Sequence, residues 1–291
     1  MYLTGFADEA AHGIEGQIRA TRELGWRCIE SRNIDGVNIH NLTDAAFKAA
    51  ASKLEAAGVR VNCFGSAIAN WAKDVRKPFD VDLQETARAI PRMQRLGTKL
   101  IRIMSYPPFA NRPLDDQMAG VRVARLRELT RRFLDAGIQP VHENCMNYGG
   151  LGWRFSLRLV EEVPGLKLVF DTGNPVSTFD RTEPAPYPIQ SAWDFYRHVR
   201  EHVVYVHIKD GVNVDGQTTW TFCGEGQGDV RRICADLLAR GYDGGISIEP
   251  HLAVVAHDSS ITSPDDIRYA NYVEYGRRMR RILEEIGATV A

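Results

Sequence analysis

Amphipathic helical segments and short apolar runs alternate along the whole chain. Apolar residues spaced three and four apart predict helices over 14–24, 43–57, 81–96, 117–136, 153–163, 191–201, 229–240 and 265–286. Several of these segments stop at a glycine (Gly25, Gly58, Gly97, Gly137, Gly241), and one stops at Pro164-Gly165. A residue without Cβ takes the left-handed conformation that ends a helix. Runs of strand length lie between them, over 2–6, 26–30, 59–63, 100–104, 138–143, 166–171, 203–207 and 245–249. Their apolar, β-branched content predicts buried strands. Eight such strand–helix units predict an α/β fold, a TIM (β/α)8 barrel, with residues 1–291 in one domain. An open doubly wound sheet is the competitor, but no glycine fingerprint follows the first strand.

The last four runs end on ionisable residues: Glu143, Asp171, His207 and Glu249. In a TIM barrel, chemistry sits at the C-terminal ends of the strands. Taken singly, each residue reads as structural: Asp171-Thr172-Gly173-Asn174 as a turn, Glu143 as the partner of an arginine, His207 as a packed histidine. Four at matching strand ends read as ligands of one divalent metal ion. Three carboxylates and one imidazole suit Mn2+ first, with Mg2+, Co2+ or Zn2+ as alternatives. Such an ion polarises a carbonyl and its neighbouring hydroxyl. Glu143 and Glu249 can then flank the reacting carbon as acid and base.

Composition narrows the partners. Hydrophobic residues make up 44% and charged residues 25%, as in a soluble globular protein. The formal net charge of −1 supplies no field for nucleic acid or an anionic membrane, so neither is expected as a partner. Cys28, Cys63, Cys145, Cys223 and Cys234 form no C-x-x-C pair, and the N-terminus does not read as a signal peptide. Free thiols in a reducing cytoplasm are the expectation.

Other rim positions are candidates for substrate contact. Glu30 and Arg32 end the second strand and can bind substrate hydroxyls or pair with each other. Asn62 and Ser66 flank the third strand, and Trp71 follows in its loop, either stacking on a sugar face or packing. Arg102 lies within the fourth strand as a buried charge partner. Strand alternation points His142 away from the site and His251 toward it. The segment Gly224-Glu225-Gly226-Gln227-Gly228-Asp229 looks like a phosphate loop. Its acids would repel phosphate, however, and Asp229 reads as a helix N-cap. An unphosphorylated substrate is therefore expected. The proline-rich loop 175–190 is long enough for a lid or an oligomer contact.

The chain resembles the sugar phosphate isomerase/epimerase superfamily, with its xylose-isomerase-like TIM barrel. The carriers are Ile29-Glu30-Ser31-Arg32-Asn33, His142-Glu143-Asn144, Phe170-Asp171-Thr172-Gly173-Asn174, Val206-His207-Ile208-Lys209-Asp210, Gly224-Glu225-Gly226 and Ile248-Glu249-Pro250. The resemblance covers nearly the whole chain and is specific for the superfamily, not for a substrate. It implies Glu143, Asp171, His207 and Glu249 as metal ligands, with Glu143 and Glu249 exchanging a proton through an enediolate of a sugar or polyol ketone. It also implies Asn174 and Glu225 near the substrate, and a homo-oligomer. Ketose 3-epimerases of this superfamily carry a histidine at the place of Asn174 and an arginine at the place of Asn213. Lys209-Asp210 resembles the inosose dehydratase side, where a lysine can protonate a leaving hydroxyl. Lys209 is thus a third catalytic candidate, its plain alternative being an ion pair with Asp210 or Glu225. β-Elimination of water competes with isomerisation. A multi-metal repair nuclease of the endonuclease IV type needs more ligands than the chain offers and a basic face it lacks. A non-catalytic sugar-binding barrel is disfavoured by the two acid–base glutamates.

Overall fold

In the computed structural model, residues 1–254 and 263–290 are described. Eight strands lie side by side in one sheet: β1 (Tyr2–Gly5), β2 (Cys28–Ser31), β3 (Arg60–Phe64), β4 (Leu100–Ile103), β5 (Gln139–Glu143), β6 (Lys167–Asp171), β7 (Val203–Ile208) and β8 (Gly245–Ile248). Consecutive strands from β2 to β8 pair in parallel, and β8 pairs with β1 through Tyr2↔Gly245 to Gly5↔Ile248. Between β1 and β2 there is only the bridge Phe6↔Glu30, reinforced by Thr4 Oγ1 donating to the Cys28 carbonyl at 3.0 Å. The result is a TIM barrel, nearly closed, as the alternation of segments predicts.

Among the described residues, eight helices of eight or more residues surround it: α1 (Ile14–Glu23), α2 (Asp44–Ala57), α3 (Asp80–Leu96), α4 (Ala119–Asp135), α5 (Trp153–Glu162), α6 (Ala192–Val199), α7 (Val230–Ala239) and α8 (Asp265–Glu285). Gly58 and Gly97 end α2 and α3 at φ of 66° and 69°, the left-handed stop read from the sequence. Thr43 and Ser191 cap α2 and α6 with their hydroxyls. Asp229 precedes α7, but its side chain makes no capping bond, because the residue itself is in the left-handed conformation at φ 50°. No described helix is long and apolar enough to cross a membrane. All five cysteines are buried free thiols.

Two short hairpins are additions to the expected pattern, Asn33–Ile34 with Val37–Asn38, and Asp210–Val214 with Gln217–Thr221. Each turns on an Asp-Gly pair with both residues at positive φ, Asp35-Gly36 and Asp215-Gly216. That dipeptide is the signal of a tight hairpin and was legible in the sequence.

The main core lies between the sheet and its helices. A smaller one, Cys63, Val141, Val169 and Tyr205, fills the barrel interior. Because side chains alternate along a strand, the residue two places further on faces the same way. Val141, Val169 and Tyr205 are thus followed on the inner face by Glu143, Asp171 and His207. An apolar layer carries the polar one.

Candidate active site

Register sets the heights of the ionisable groups. Asp171 lies beside His207 in the ladder, and His207 beside Ser247, while Glu249 follows just beyond the end of β8. Glu143, Asp171, His207 and Glu249 are all buried, and each offers a ligand atom within 4.8 Å of the others. Ligand atoms facing each other across an ion with bonds of about 2.1 Å stand about 4.2 Å apart, so the spacing fits a single divalent ion. Asp171 Oδ2 is buried and makes no hydrogen bond, with only the Lys209 ammonium facing it at 3.3 Å among the described residues, which leaves it open to a cation.

Neighbours fix each carboxylate. Asp171 Oδ1 accepts from the backbone N–H of Gly173 at 2.8 Å and of Asn174 at 2.6 Å. Glu143 Oε1 accepts from Asn174 Nδ2 at 3.3 Å and lies 3.2 Å from His207 Nδ1, while its Oε2 accepts from Arg102 at 3.0 Å. Glu249 is held by Arg32 Nη1 at 2.6 Å and Lys209 Nζ at 3.1 Å. The Lys209 ammonium also lies 3.3 Å from Asp171 Oδ2. Lys209 thus pairs with two of the candidate ligands, not with Asp210 or Glu225. Both arginines lie over the Phe6 ring, Arg32 at 4.4 Å and Arg102 at 5.1 Å from its centroid.

These contacts shift the proton affinities. Burial opposes the charged form of Glu143, but Arg102 and His207 bring its carboxyl down to about 2. Burial raises Asp171, and the charges of Glu249 and Glu143 add to this against Lys209, so it reaches about 6. Burial disfavours imidazolium at His207, yet Glu30 and Glu143 raise it to about 10. Burial likewise disfavours the Glu249 carboxylate, which Lys209, His251 and Arg32 hold well below the usual range. Arg32, Arg102, Lys209 and the raised His207 thus oppose the charge of the carboxylates, and a metal binding through His207 would have to take the place of its proton.

The remaining predicted positions separate. Arg32, Trp71, Arg102, Met146, Asn174 and His251 line the space around Glu143, Lys209 and Glu249, which amounts to about 20 Å3. That holds one ion or one water. His251 faces Glu9 at 3.0 Å through Nδ1 and stands edge-on to Trp220, which the 210–221 hairpin brings over the site. Glu30 does not reach this space: it is buried below His207, bonded to the ring and to Ser247. Asn62 lies deeper still, donating to Tyr205 OH at 2.8 Å and to Tyr2 OH at 3.3 Å. It lines a cavity of about 690 Å3 with Tyr2, Arg60 and Lys99, at the other end of the barrel. Asn62 sits mid-strand in β3, so its side chain enters below the rim. Ser66 binds the backbone of Arg102. Glu225 is exposed and pairs with Arg278 of α8, away from the cluster. His142 points away from the site, to Ser105 Oγ at 3.0 Å.

The glycine loop takes no anion from outside. The N–H groups of Gly224, Gly226 and Gly228 point at the Asp210 carboxylate at 2.8, 3.1 and 2.8 Å, and Gly211 adds a fourth. Asp210 fills the place a phosphate would take. The loop 175–190 is tied down by Gln190, which donates to Gly150 and Phe179 carbonyls, and it does not line the site.

Sequence reading missed Asp8, Glu9 and Ser247. Asp8 and Glu9 bind Arg32 at 2.9 and 3.2 Å. Their position directly after the first strand was the available signal. Glu9, Glu249 and His251 form a second acidic group, but the Arg32 guanidinium already bonds both glutamates.

The family described as xylose isomerase-like TIM barrel matches residues 18–259. Among solved structures, a D-tagatose 3-epimerase-like protein is 17% identical at a TM-score of 0.73, covering 98% of both chains. A xylose isomerase-like TIM barrel protein from Mycobacterium smegmatis in complex with magnesium is 16% identical at 0.70, covering 99% of this chain and 97% of that one. The probable 3-DHS dehydratase AsbF of petrobactin synthesis from Bacillus anthracis is 14% identical at 0.67, over 94% and 97%. At such identities these likenesses speak for the fold. No curated protein matches the sequence.

Proposed function

The chain belongs to the xylose isomerase-like TIM-barrel family, and we propose that within it the protein is a metal-dependent isomerase or epimerase of a sugar or polyol ketone. The observation that carries this is the convergence of Glu143, Asp171, His207 and Glu249 at four successive strand ends. A divalent ion held by these four would polarise the substrate's carbonyl and hydroxyl oxygens. Mn2+ is the first choice from the ligand types, and the magnesium in the Mycobacterium smegmatis relative is in keeping with a hard cation.

The chain's own residues then carry the proton. Glu143 and Glu249 approach the space from separate strands, so one, as carboxylate, removes a proton from the carbon between the two oxygens, and the other, once it has taken up a proton from solvent, returns one. Arg102 and Arg32 keep the two glutamates ionised and oriented. Asp171 is assigned to holding the ion: two backbone N–H groups fix its Oδ1, and Oδ2 stands 3.3 Å from the Lys209 ammonium. Arg32, Arg102 and Lys209 are each bound to carboxylates of the site, and Asp210 closes the glycine loop. That favours an uncharged polyhydroxy ketone over a phosphate ester. Such a molecule needs more than the present 20 Å3, so entry displaces Trp71 or Met146.

A second reading rests on Lys209. Its ammonium beside Glu249 can protonate a leaving hydroxyl, which turns the same proton removal into a dehydration. Metal content by plasma mass spectrometry, in wild type and Glu249→Gln, tests the common premise: about one ion per chain, reduced in the variant. Ketoses and inososes run in D2O then separate the branches. Deuterium in a product of unchanged composition supports isomerisation, and loss of water supports the lyase. No metal and no turnover would remove both.

A further inference from the structure

We infer that Glu30 is a positioning residue, which holds the His207 ring from below so that Nδ1 faces the metal position. The inference rests on the metal reading above and adds to it a residue and a choice of ring nitrogen. Glu30 is fully buried, and among the described residues no lysine or arginine pairs with it. Its partners are His207 Nε2, 3.2 Å from Oε1 and 3.0 Å from Oε2, and Ser247 Oγ, which donates to Oε2 at 2.6 Å. Glu143 already accepts from Arg102 and Asn174, whereas Glu30 has no cationic partner besides this ring among the described residues. An unmatched buried carboxylate is costly, so the proton of a neutral His207 stays on Nε2. The lone pair is then left on Nδ1.

Geometry agrees from the other side of the ring. Nδ1 stands 3.2 Å from Glu143 Oε1, and adjacent ligands at bonds of about 2.1 Å are about 3 Å apart. The edges of Phe6 and Tyr205 fix the ring plane, at centroid distances of 4.9 and 5.6 Å. Three strands meet at this contact, β2 through Glu30, β7 through His207 and β8 through Ser247, with Ser247 and His207 side by side in the ladder. Glu30 is also the residue bridged to Phe6 where β1 and β2 are otherwise unpaired. The carboxylate therefore spans the weak seam of the barrel and orients a ligand at once. A partner of this kind behind a metal-binding histidine sets its tautomer and raises its basicity, and removing one costs about 10–100-fold in metal affinity.

The test uses metal-stripped, full-length protein. Co2+ affinity is measured by titration calorimetry for wild type, Glu30→Gln and Ser247→Ala, with circular dichroism confirming the fold. In parallel, 15N-labelled wild type loaded with Cd2+ shows by spin coupling which His207 nitrogen binds. The expected result is coupling to Nδ1, a loss of about 10–100-fold in Glu30→Gln and a smaller loss in Ser247→Ala. Coupling to Nε2, or unchanged affinity in folded variants, overturns the inference and leaves the metal site standing. Failure of the wild type to bind Co2+ or Cd2+ removes the metal site and this inference with it. If Glu30→Gln does not fold, Ser247→Ala and the coupling decide.

Discussion

A buried histidine can serve opposite purposes in this barrel, and its partners decide which. His207, between Glu30 and Glu143, is raised to about 10, whereas His142, on the other face of β5 beside Ser105, is lowered to about 4 by burial. Because the folded value of His142 lies below the ordinary 6.5, the unfolded chain binds the extra proton first. The cost to stability is absent above pH 6.5, grows as the pH falls through the interval from 6.5 to about 4, and is constant below it. Over that interval it amounts to about 3 kcal/mol. A His142→Gln variant should show a flatter loss of stability across it, measured by urea unfolding at several pH values. An unchanged slope would mean that His142 is protonated in the fold. At this scale the sequence was legible in part. Alternation along β5 already separated His142 from Glu143. It did not reveal that Glu30 would meet a histidine five strands away.

Between the residue and the barrel stands the loop that follows the second hairpin. Four backbone N–H groups converge on Asp210, and a Cβ on Gly226 would come within 2.4 Å of that carboxylate. The glycines are there because the chain closes tightly round an internal acid. Asp210→Ala leaves the buried N–H groups of Gly211 and Gly228, and the less buried ones of Gly224 and Gly226, without their acceptor and should cost about 3 kcal/mol. Asp210→Asn, which keeps one acceptor oxygen, should cost less. Hydrogen exchange at Gly224, Gly226 and Gly228 should accelerate in the alanine variant. Protection equal to wild type would show that the loop holds without Asp210. The sequence marked the segment as special through its glycines and left the anion they enclose unnamed. Both Asp-Gly hairpins were readable, but the placement of Trp220 over His251 was not, since it depends on where the second hairpin folds back.

For the whole molecule, the candidate ligands come from β5 to β8 while Arg32, Glu30 and Arg102, which hold them, come from β2 and β4. An ion bound by the four therefore ties to the closed barrel alone and not to the unfolded chain. At free Mn2+ near one hundred times its dissociation constant the gain is about 2.7 kcal/mol. Calorimetry should show a single unfolding transition moved up by a few degrees in wild type. Glu249→Gln should show little movement. An equal shift in both would place the binding elsewhere.

The order of helices and strands follows from local pattern, since periodicity, glycine stops and strand content are properties of neighbouring residues. So do the four ionisable strand ends, because a strand's end is local and a TIM barrel brings all its C-terminal ends to one face. What only the tertiary structure decided is depth and partnership. Whether Glu30 meets substrate or His207, whether Asn62 looks up or down, and whether Lys209 pairs with Asp210 or with Asp171 and Glu249 depend on register between strands far apart in the chain. A shift of one residue exchanges inside for outside, and no run of residues records the height at which its neighbour across the barrel will stand.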